Sequence, residues 1–139
     1  MLVDDSEDDL FLLRAALARV GLGPSVIALR DGMDAVNYLE GRGDYSDRTA
    51  HPLPCLIITD LKMPRMDGFE LLQWLKAHDE FREIPTVVLS ASGLERDRRR
   101  AAAAGCCAYF VKPGGFRELA AVVEHLDRTW ITEHCQRDG

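Results

Sequence analysis

Short apolar runs alternate with amphipathic segments from one end of this chain to the other. Each run is nearly continuous in apolar residues, as in strands that are covered on both faces. The runs occupy residues 1–3, 26–29, 55–59, 86–90 and 108–111. Strict alternation of such runs with helical segments predicts an α/β fold: a doubly wound, five-stranded parallel sheet with right-handed crossovers and helices on both faces.

The amphipathic segments begin at recognisable helix start signals. Apolar residues at spacings of three and four follow the polar residues Ser6, Asp31 and Asp67. Ser6-x-x-Asp9 resembles a capping box, and Asp67, next to a glycine, is expected to be only a helix cap. The Arg- and Ala-rich segment 93–104 predicts a helix by propensity, and the last helix is expected over 116–130.

Length and composition are those of one globular domain. The chain has 139 residues, of which 47% are hydrophobic and 29% charged, so disordered and fibrous classes are excluded. No apolar run approaches the roughly 20 residues of a membrane span, and the N-terminus is too acidic for a secretory signal. We expect a cytoplasmic protein with a domain over 1–129 and a C-terminal tail over 130–139, without an output domain. The net charge of −6 argues against nucleic-acid binding.

Three features depart from the regular pattern. The connection over 41–54 is longer than an ordinary helix-to-strand loop. The first run has only three residues before its acidic pair, which is short for an interior strand and leaves open a segment upstream of this sequence. The four cysteines include no C-x-x-C pair, so small buried thiols in a reducing compartment are expected rather than disulfides or a zinc site.

Polar residues stand at the same end of four of the five runs. Asp4 and Asp5 follow the first run, Asp60 follows the third, Ser90 ends the fourth and Lys112 follows the fifth. In a doubly wound sheet, functional groups gather at the carboxyl ends of the strands, where the strand order reverses. We therefore expect these side chains to meet at one edge of the sheet.

Three carboxylates at one edge repel each other unless a cation neutralises them. No histidine or cysteine accompanies Asp4, Asp5 and Asp60, so a hard, oxygen-preferring ion fits best, and Mg²⁺ is the expected one. Such an ion can also hold a phosphoryl oxygen while phosphate moves onto a carboxylate nucleophile. The pattern favours phosphoryl chemistry at this edge.

Lys112 and Ser90 complete that chemistry. A lysine ammonium can pair first with a free carboxylate and then with a phosphoryl oxygen. The Ser90 hydroxyl can donate to another phosphoryl oxygen. Pro113, directly after Lys112, suggests a cis peptide bond that would aim the lysine inward.

Four sequence blocks together resemble the receiver domains of two-component response regulators. The blocks are Val3-Asp4-Asp5-Ser6, the run TDLKMPRMDG over 59–68, Ser90-Ala91 and Lys112-Pro113. They occur in order, the resemblance covers about residues 1–128, and the D-x-x-M-P-x-M-D-G block with its downstream S-A and K-P is highly specific. The resemblance implies the flavodoxin-like receiver fold with strand order 2-1-3-4-5.

The resemblance also implies a metal site and its ligands. Asp60 would be the phosphorylated aspartate and would share an Mg²⁺ ion with Asp5, a direct ligand. Asp4 would assist, directly or through water, and Lys62 would supply its backbone carbonyl.

The remaining implied roles concern switching. Ser90 would be the switch hydroxyl, Lys112 the phosphate-contacting lysine, and Tyr109 the aromatic whose inward or outward position reports phosphorylation. Members of this family take phosphate from a phosphohistidine on a sensor histidine kinase and lose it slowly by hydrolysis. The resemblance therefore implies a phosphorelay switch, a phosphoprotein rather than a turnover enzyme.

Partner surfaces are only partly indicated. The long loop around 43–45 and the lack of an output domain are similar to stand-alone receivers paired with phytochrome-type or other sensor kinases. The arginine cluster over 96–100 is interpreted as a solvated helix face. Alternatively, the fourth helix, fifth strand and fifth helix form a surface for an unidentified downstream protein or for a homodimer.

Two other functions fit the same type of fold but match these residues less well. A phosphatase with an aspartyl-phosphate intermediate would need a second aspartate two residues after Asp60 as general acid, and Lys62 at that position cannot serve. A phosphate-independent adaptor of the same fold is favoured only by the short first strand, which would displace Asp4 and Asp5.

Overall fold

Five parallel strands form one sheet in the computed structural model, which describes residues 1–131. The strands are β1 (Leu2–Val3), β2 (Ala28–Leu29), β3 (Ile57–Thr59), β4 (Thr86–Ser90) and β5 (Ala108–Val111). The helices are α1 (Glu7–Arg19), α2 (Gly32–Glu40), α3 (Gly68–Ala77), α4 (Glu95–Ala104) and α5 (Phe116–Leu126). The strand order is β2-β1-β3-β4-β5, which confirms the predicted fold class and topology.

Helices cover both faces of the sheet. On one face, apolar residues of α1 and α5 pack on Leu2, Ile58 and Val87, and on the other, α2, α3 and α4 pack on residues such as Val3 and Ile57. Neighbouring residues of one strand therefore point into different cores. This double burial explains why the strands read as continuous apolar runs.

The first strand is short but fully integrated. It lies between β2 and β3 and pairs in parallel register with both. The Leu2 amide donates to Ile27 at 2.7 Å, and the Asp60 amide donates to Val3 at 2.9 Å. Asp4 therefore leaves the sheet from an interior position. The short first strand, which was the only support for the adaptor hypothesis, is not displaced from the sheet.

The long connection over 41–54 packs back on α2. Arg48 donates from Nη2 to the carbonyl oxygens of Tyr38 at 2.8 Å and Leu39 at 2.6 Å. The Tyr38 hydroxyl donates to Pro52 at 2.8 Å. The last carbonyls of a helix have no partner within the helix. Arg48 satisfies the Leu39 carbonyl and adds a second donor to the Tyr38 carbonyl, which also accepts from the Gly41 amide at 3.1 Å.

Several local predictions need correction. No cis peptide bond occurs within residues 1–131, so the Lys112–Pro113 bond is trans. The last helix ends at Leu126 and continues only as a π-helical turn over Asp127–Ile131. The domain boundary at residue 129 stays a prediction, and the tail from residue 132 onward lies outside the described residues.

The prediction of four buried thiols was also wrong in part. Cys55 is disulfide-bonded. Cys106 is free and half-buried, whereas Cys107 is free and exposed. Cys135 lies outside the described residues. Among the described helices, none is long and apolar enough to cross a membrane.

Candidate functional site

The carboxyl edge of the sheet brings the predicted site residues together. Asp4 follows β1, Asp60 follows β3, Ser90 is the last residue of β4, and Lys112 follows β5. These four strands are neighbours in the order of the sheet. Parallel pairing therefore places their ends side by side, and the expected convergence is confirmed.

Three carboxylates and one ammonium group form a pocket at this edge. We call it the acidic pocket and define it as Asp4, Asp5, Asp60 and Lys112. One oxygen from each aspartate lies within 4.8 Å of the others. Ligands around Mg²⁺ at about 2.1 Å from the ion stand roughly 3 to 4 Å apart. The three oxygens are therefore close enough together to be candidate ligands of one ion. Carboxylate oxygens without nitrogen or sulfur neighbours are the donor set that a hard divalent cation prefers.

Lys112 contacts more carboxylates than the sequence predicted. Its Nζ lies 2.8 Å from Asp4, 2.7 Å from Asp9 and 2.9 Å from Asp60. Burial alone would lower the pKa of this ammonium, but hydrogen bonds to the three carboxylates raise it above its ordinary value. The group is therefore a fixed positive charge facing Asp60.

Asp9 was interpreted only as a helix-capping residue. Half of the capping box is present, because the Asp9 amide donates to the Ser6 hydroxyl oxygen at 3.3 Å. The Asp9 carboxylate, however, accepts from Lys112 instead of turning back to the helix start. The available signal was position: Asp9 lies in the first turn of α1, three residues after the N-cap Ser6 and four after Asp5.

Backbone groups hold the other two carboxylates. The Leu61 amide donates to Asp60 Oδ1 at 2.6 Å, which leaves Oδ2 facing Lys112. The Ser6 amide donates to Asp4 Oδ1 at 2.9 Å. Burial raises the pKa of Asp4 above its ordinary value, against the lowering effect of its hydrogen bonds to Lys112 and Ser6. A cation in the pocket would offset the cost of burying this charge.

The segment after Asp60, here called loop 61–67, leads into α3. Asp67 caps that helix in a reciprocal capping box with Glu70, which confirms the predicted capping role. The Gly68 amide donates to the Leu61 carbonyl at 2.8 Å. A Cβ on Gly68 would collide with the Asp60 carbonyl oxygen and lie 2.8 Å from the Leu61 Cα. Only glycine fits where the loop closes on itself.

On the opposite side of the pocket, Ser90 and Tyr109 are linked through Ser92. Ser90 is 2% exposed, and its hydroxyl oxygen accepts from the Ser92 amide at 3.2 Å. The Tyr109 hydroxyl donates to the Ser92 carbonyl at 2.7 Å. Sequence reasoning did not single out Ser92, because a polar loop residue carries no distinguishing signal.

The arginine cluster of α4 is not simply a solvated face. The Arg98 guanidinium lies 4.8 Å from the centre of the Tyr109 ring, and that of Arg100 lies 4.0 Å from the centre of the Phe69 ring. Arg96 and Arg99 follow the expected pattern, since both are exposed and Arg99 pairs with Glu95 at 3.3 Å. Cation–π contacts thus tie two of the arginines to aromatic rings.

The fold and site define a doubly wound α/β protein that gathers carboxylates and one lysine at the carboxyl ends of its strands. The family model described as "Response regulator receiver domain" matches residues 1–124. The chain belongs to the response regulator receiver domain family. Family membership implies a phosphoacceptor that works with a sensor histidine kinase, and receiver domains bind Mg²⁺ at an acidic pocket of this kind.

Two relatives illustrate the similarity. The chain is 34% identical over 134 residues to the probable methanogenesis regulatory protein FilR2 of Methanothrix harundinacea, with 94% of this chain and 82% of the relative covered. It is 31% identical over 131 residues to the response regulator Rcp1 of Synechocystis sp., with 94% and 87% covered.

Solved structures extend the comparison to the fold. The phosphorylated cyanobacterial phytochrome response regulator RcpA superimposes with a TM-score of 0.86 at 31% identity, covering 99% of this chain and 96% of that one. The Mn²⁺-bound form of Rcp1 gives a TM-score of 0.79 at 29% identity, covering 99% and 96%.

Proposed function

We propose that this chain is a cytoplasmic response regulator receiver that accepts a phosphoryl group on Asp60 from a sensor histidine kinase in an Mg²⁺-dependent reaction. The observation that carries the proposal is the setting of the Asp60 carboxylate. One of its oxygens faces Lys112 at 2.9 Å, and the same side chain belongs to a three-aspartate cluster able to hold a cation.

In the proposed transfer, a carboxylate oxygen of Asp60 forms a bond to phosphorus while the bond from phosphorus to the donor imidazole nitrogen breaks. The Lys112 ammonium pairs with one phosphoryl oxygen, and the Ser90 hydroxyl donates to another. Slow hydrolysis of the resulting acyl phosphate returns the carboxylate. The protein then acts as a switch, not as a turnover enzyme.

The expected cation ligands are Asp5 and Asp60, with Asp4 assisting and the Lys62 backbone carbonyl as a further oxygen. Bound Mg²⁺ would supply positive charge that stabilises the phosphoryl group during transfer. The oxygen-only donor set of the cluster supports this assignment, and Rcp1, a relative, has been observed with Mn²⁺ bound. Because burial raises the pKa of Asp4, a proton competes with the ion, and affinity should fall as the pH is lowered.

The deciding experiment uses a small phosphodonor with Mg²⁺ and intact-mass detection. Wild-type protein should gain one phosphoryl group, and Asp60→Asn should gain none. Asp67→Asn is the matched control: this residue lies in the same loop region, and asparagine retains the helix cap, so labelling should persist. Labelling of Asp60→Asn at the wild-type rate would overturn the proposal.

The proposed kinase is a phytochrome-type or other sensor histidine kinase, by similarity to RcpA and Rcp1. Phe11 and Leu12 support docking of a partner beside the acidic pocket, because they are 72% and 40% exposed on the helix that carries Asp9. Phe11→Ala should slow transfer from a cognate kinase while leaving labelling by a small phosphodonor unchanged. Equal slowing with both donors would contradict this docking surface.

We further propose that phosphorylation switches binding of a downstream partner. Drawing the Ser90 hydroxyl toward a phosphoryl oxygen would replace its contact with the Ser92 amide, and Ser92 is bonded to Tyr109. The movement would change the surface formed by α4, β5 and α5, where a downstream protein or a second copy would bind. Analytical ultracentrifugation with and without phosphodonor tests the homodimer: phosphorylation should increase the dimer fraction, and an unchanged fraction would contradict a phosphorylation-dependent dimer.

A further inference from the structure

Arg65 has an unusual backbone conformation next to the acidic pocket. Among residues 1–131 it is the only non-glycine residue with positive φ, at 63°. Residues with a Cβ atom avoid this left-handed region, and such conformations persist only when the surroundings hold them. The middle of loop 61–67 is therefore held in its shape by contacts outside the loop.

Those contacts come from the first turn of α2. The Arg65 guanidinium donates from Nε to Asp31 Oδ2 at 2.7 Å and from Nη2 to Asp31 Oδ1 at 3.0 Å. A further bond joins Nη2 to Asp34 at 2.8 Å. A two-point fork of this kind fixes direction as well as distance.

Asp31 is itself held firmly. It is 4% exposed and caps α2 by accepting from the Asp34 amide at 2.9 Å. Burial alone would raise the pKa of Asp31, but hydrogen bonds and charge from Arg65 and hydrogen bonds from backbone amides lower it below its ordinary value. The carboxylate is thus a charged anchor for the arginine.

Backbone packing reinforces the ion pair. The Gly32 amide donates to the Met66 carbonyl at 2.9 Å. A Cβ on Gly32 would lie 2.7 Å from that same oxygen, so the helix start and the loop approach as closely as their backbones allow. Two independent contacts therefore join loop 61–67 to α2.

We propose that Arg65 and Asp31 are positioning residues for the cation and phosphoryl site. Their ion pair holds loop 61–67 in the shape that presents the Lys62 carbonyl beside Asp60. Among the described residues, no hydrogen bond or ion pair joins Arg65 or Asp31 to the acidic pocket, so both act through the loop backbone. This inference rests on the proposed function, since it assigns the Lys62 carbonyl to the cation.

The first test is hydrogen exchange of the loop amides in metal-free protein, because it does not depend on any activity. Arg65→Gly accepts positive φ without strain but removes the fork, and Asp31→Asn keeps the helix cap but removes the charge. Both variants should exchange the amides of loop 61–67 about tenfold faster, since the loop opens more often.

The second test is Mn²⁺ affinity, measured by titration of the same variants. Loss of an outer positioning contact should weaken binding about tenfold. Arg65→Lys, which retains charge but not the fork, should fall between wild type and Arg65→Gly. Arg82→Ala breaks an exposed ion pair with Asp79 far along the chain and should change neither measurement.

A double variant distinguishes an ion pair from two separate effects. If Arg65 and Asp31 act as one unit, Arg65→Gly combined with Asp31→Asn should weaken Mn²⁺ binding no more than Arg65→Gly alone. Additive losses would overturn the proposal. So would wild-type exchange and affinity in folded Arg65→Lys and Asp31→Asn.

These outcomes are separable from failure of the proposed function. If wild-type protein neither binds Mn²⁺ nor takes a phosphoryl group, the proposed function fails, and with it the assignment of a site role to Arg65 and Asp31. If wild type does both while the variants match it, only the positioning role fails.

Discussion

The two flanks of the acidic pocket are built differently. Loop 61–67 is fixed by the fork between Arg65 and the buried Asp31, by a reciprocal capping box and by the tight closure at Gly68. The opposite flank, residues 91–94 with α4, lacks a side-chain cap at its helix start, and α4 buries only Ala101 and Ala104. Ser92 joins this flank to Ser90 and to Tyr109 by one hydrogen bond each.

Under the proposed function, this difference separates a flank that holds the cation ligands from a flank that switches. Cation ligands must stay in place between reaction cycles, since reorganising them for each ion would cost free energy. A switching element needs few buried contacts, so that a new interaction at the phosphoryl group can outweigh those it replaces. The first flank meets the former requirement and the second meets the latter.

The largest expected contrast comes from one glycine on each flank. Gly68→Ala should lower the free energy of unfolding by about 3 kcal/mol, because a Cβ there collides with backbone. Gly93→Ala places its Cβ 3.8 Å from Val111 and should raise it by about 0.5 kcal/mol through reduced freedom of the unfolded chain. Urea denaturation of both variants measures the difference. Equal losses would erase the contrast between flanks.

The next effect is the pH dependence of the fixed flank. The pKa of Asp31 is lowered in the folded protein, so its charged form contributes stability above its unfolded pKa of about 3.9. That contribution is lost as the pH falls through the folded value. The stability difference between wild type and Asp31→Asn should therefore shrink from pH 7 to pH 3 in denaturation experiments. A difference that stays constant would mean that the Asp31 charge is not the stabilising element.

A smaller effect is expected at Tyr109. Tyr109→Phe removes the hydrogen bond to the Ser92 carbonyl and should cost about 1 kcal/mol of stability. Hydrogen exchange should accelerate in residues 91–94 and remain unchanged in loop 61–67. Faster exchange in both segments would show that the flanks are coupled rather than independent.

The smallest effect is expected from the arginine above that ring. Arg98→Ala removes a partly exposed cation–π contact and should cost about 0.5 kcal/mol. Its clearest readout is greater mobility of the Tyr109 ring in NMR spectra. Arg99→Ala is the matched control on the same helix, since Arg99 pairs with the Glu95 carboxylate rather than with an aromatic ring. If both variants change the ring signals equally, the contact with Arg98 has no specific role.

Prediction from the sequence succeeded where the signal was local or topological. The strands Thr86–Ser90 and Ala108–Val111 were predicted at their observed bounds. Both are short runs of mostly apolar, β-branched or aromatic residues, a composition typical of strands. Asp67 was identified as a cap from its neighbours alone. The meeting of Asp4, Asp60 and Lys112 followed from a rule about strand ends, which needs no knowledge of side-chain contacts.

Prediction failed where a local pattern competed with a distant partner. Asp9 fits a capping pattern, yet its carboxylate binds Lys112, which lies 103 positions away. The pairing of Arg65 with Asp31 spans 34 positions. The cis bond before Pro113 was predicted because it would aim Lys112 into the pocket. With a trans bond the long lysine side chain already reaches Asp60.

The sequence by itself determined the order of helices and strands, the topology and the edge at which charged groups collect. These depend on periodicity and on the direction of the chain, which are properties of short segments. Only the tertiary structure decided which charges pair, which loop is fixed and which is loosely held. Those outcomes depend on distances between segments far apart in the chain, and such distances exist only after the sheet has set its register.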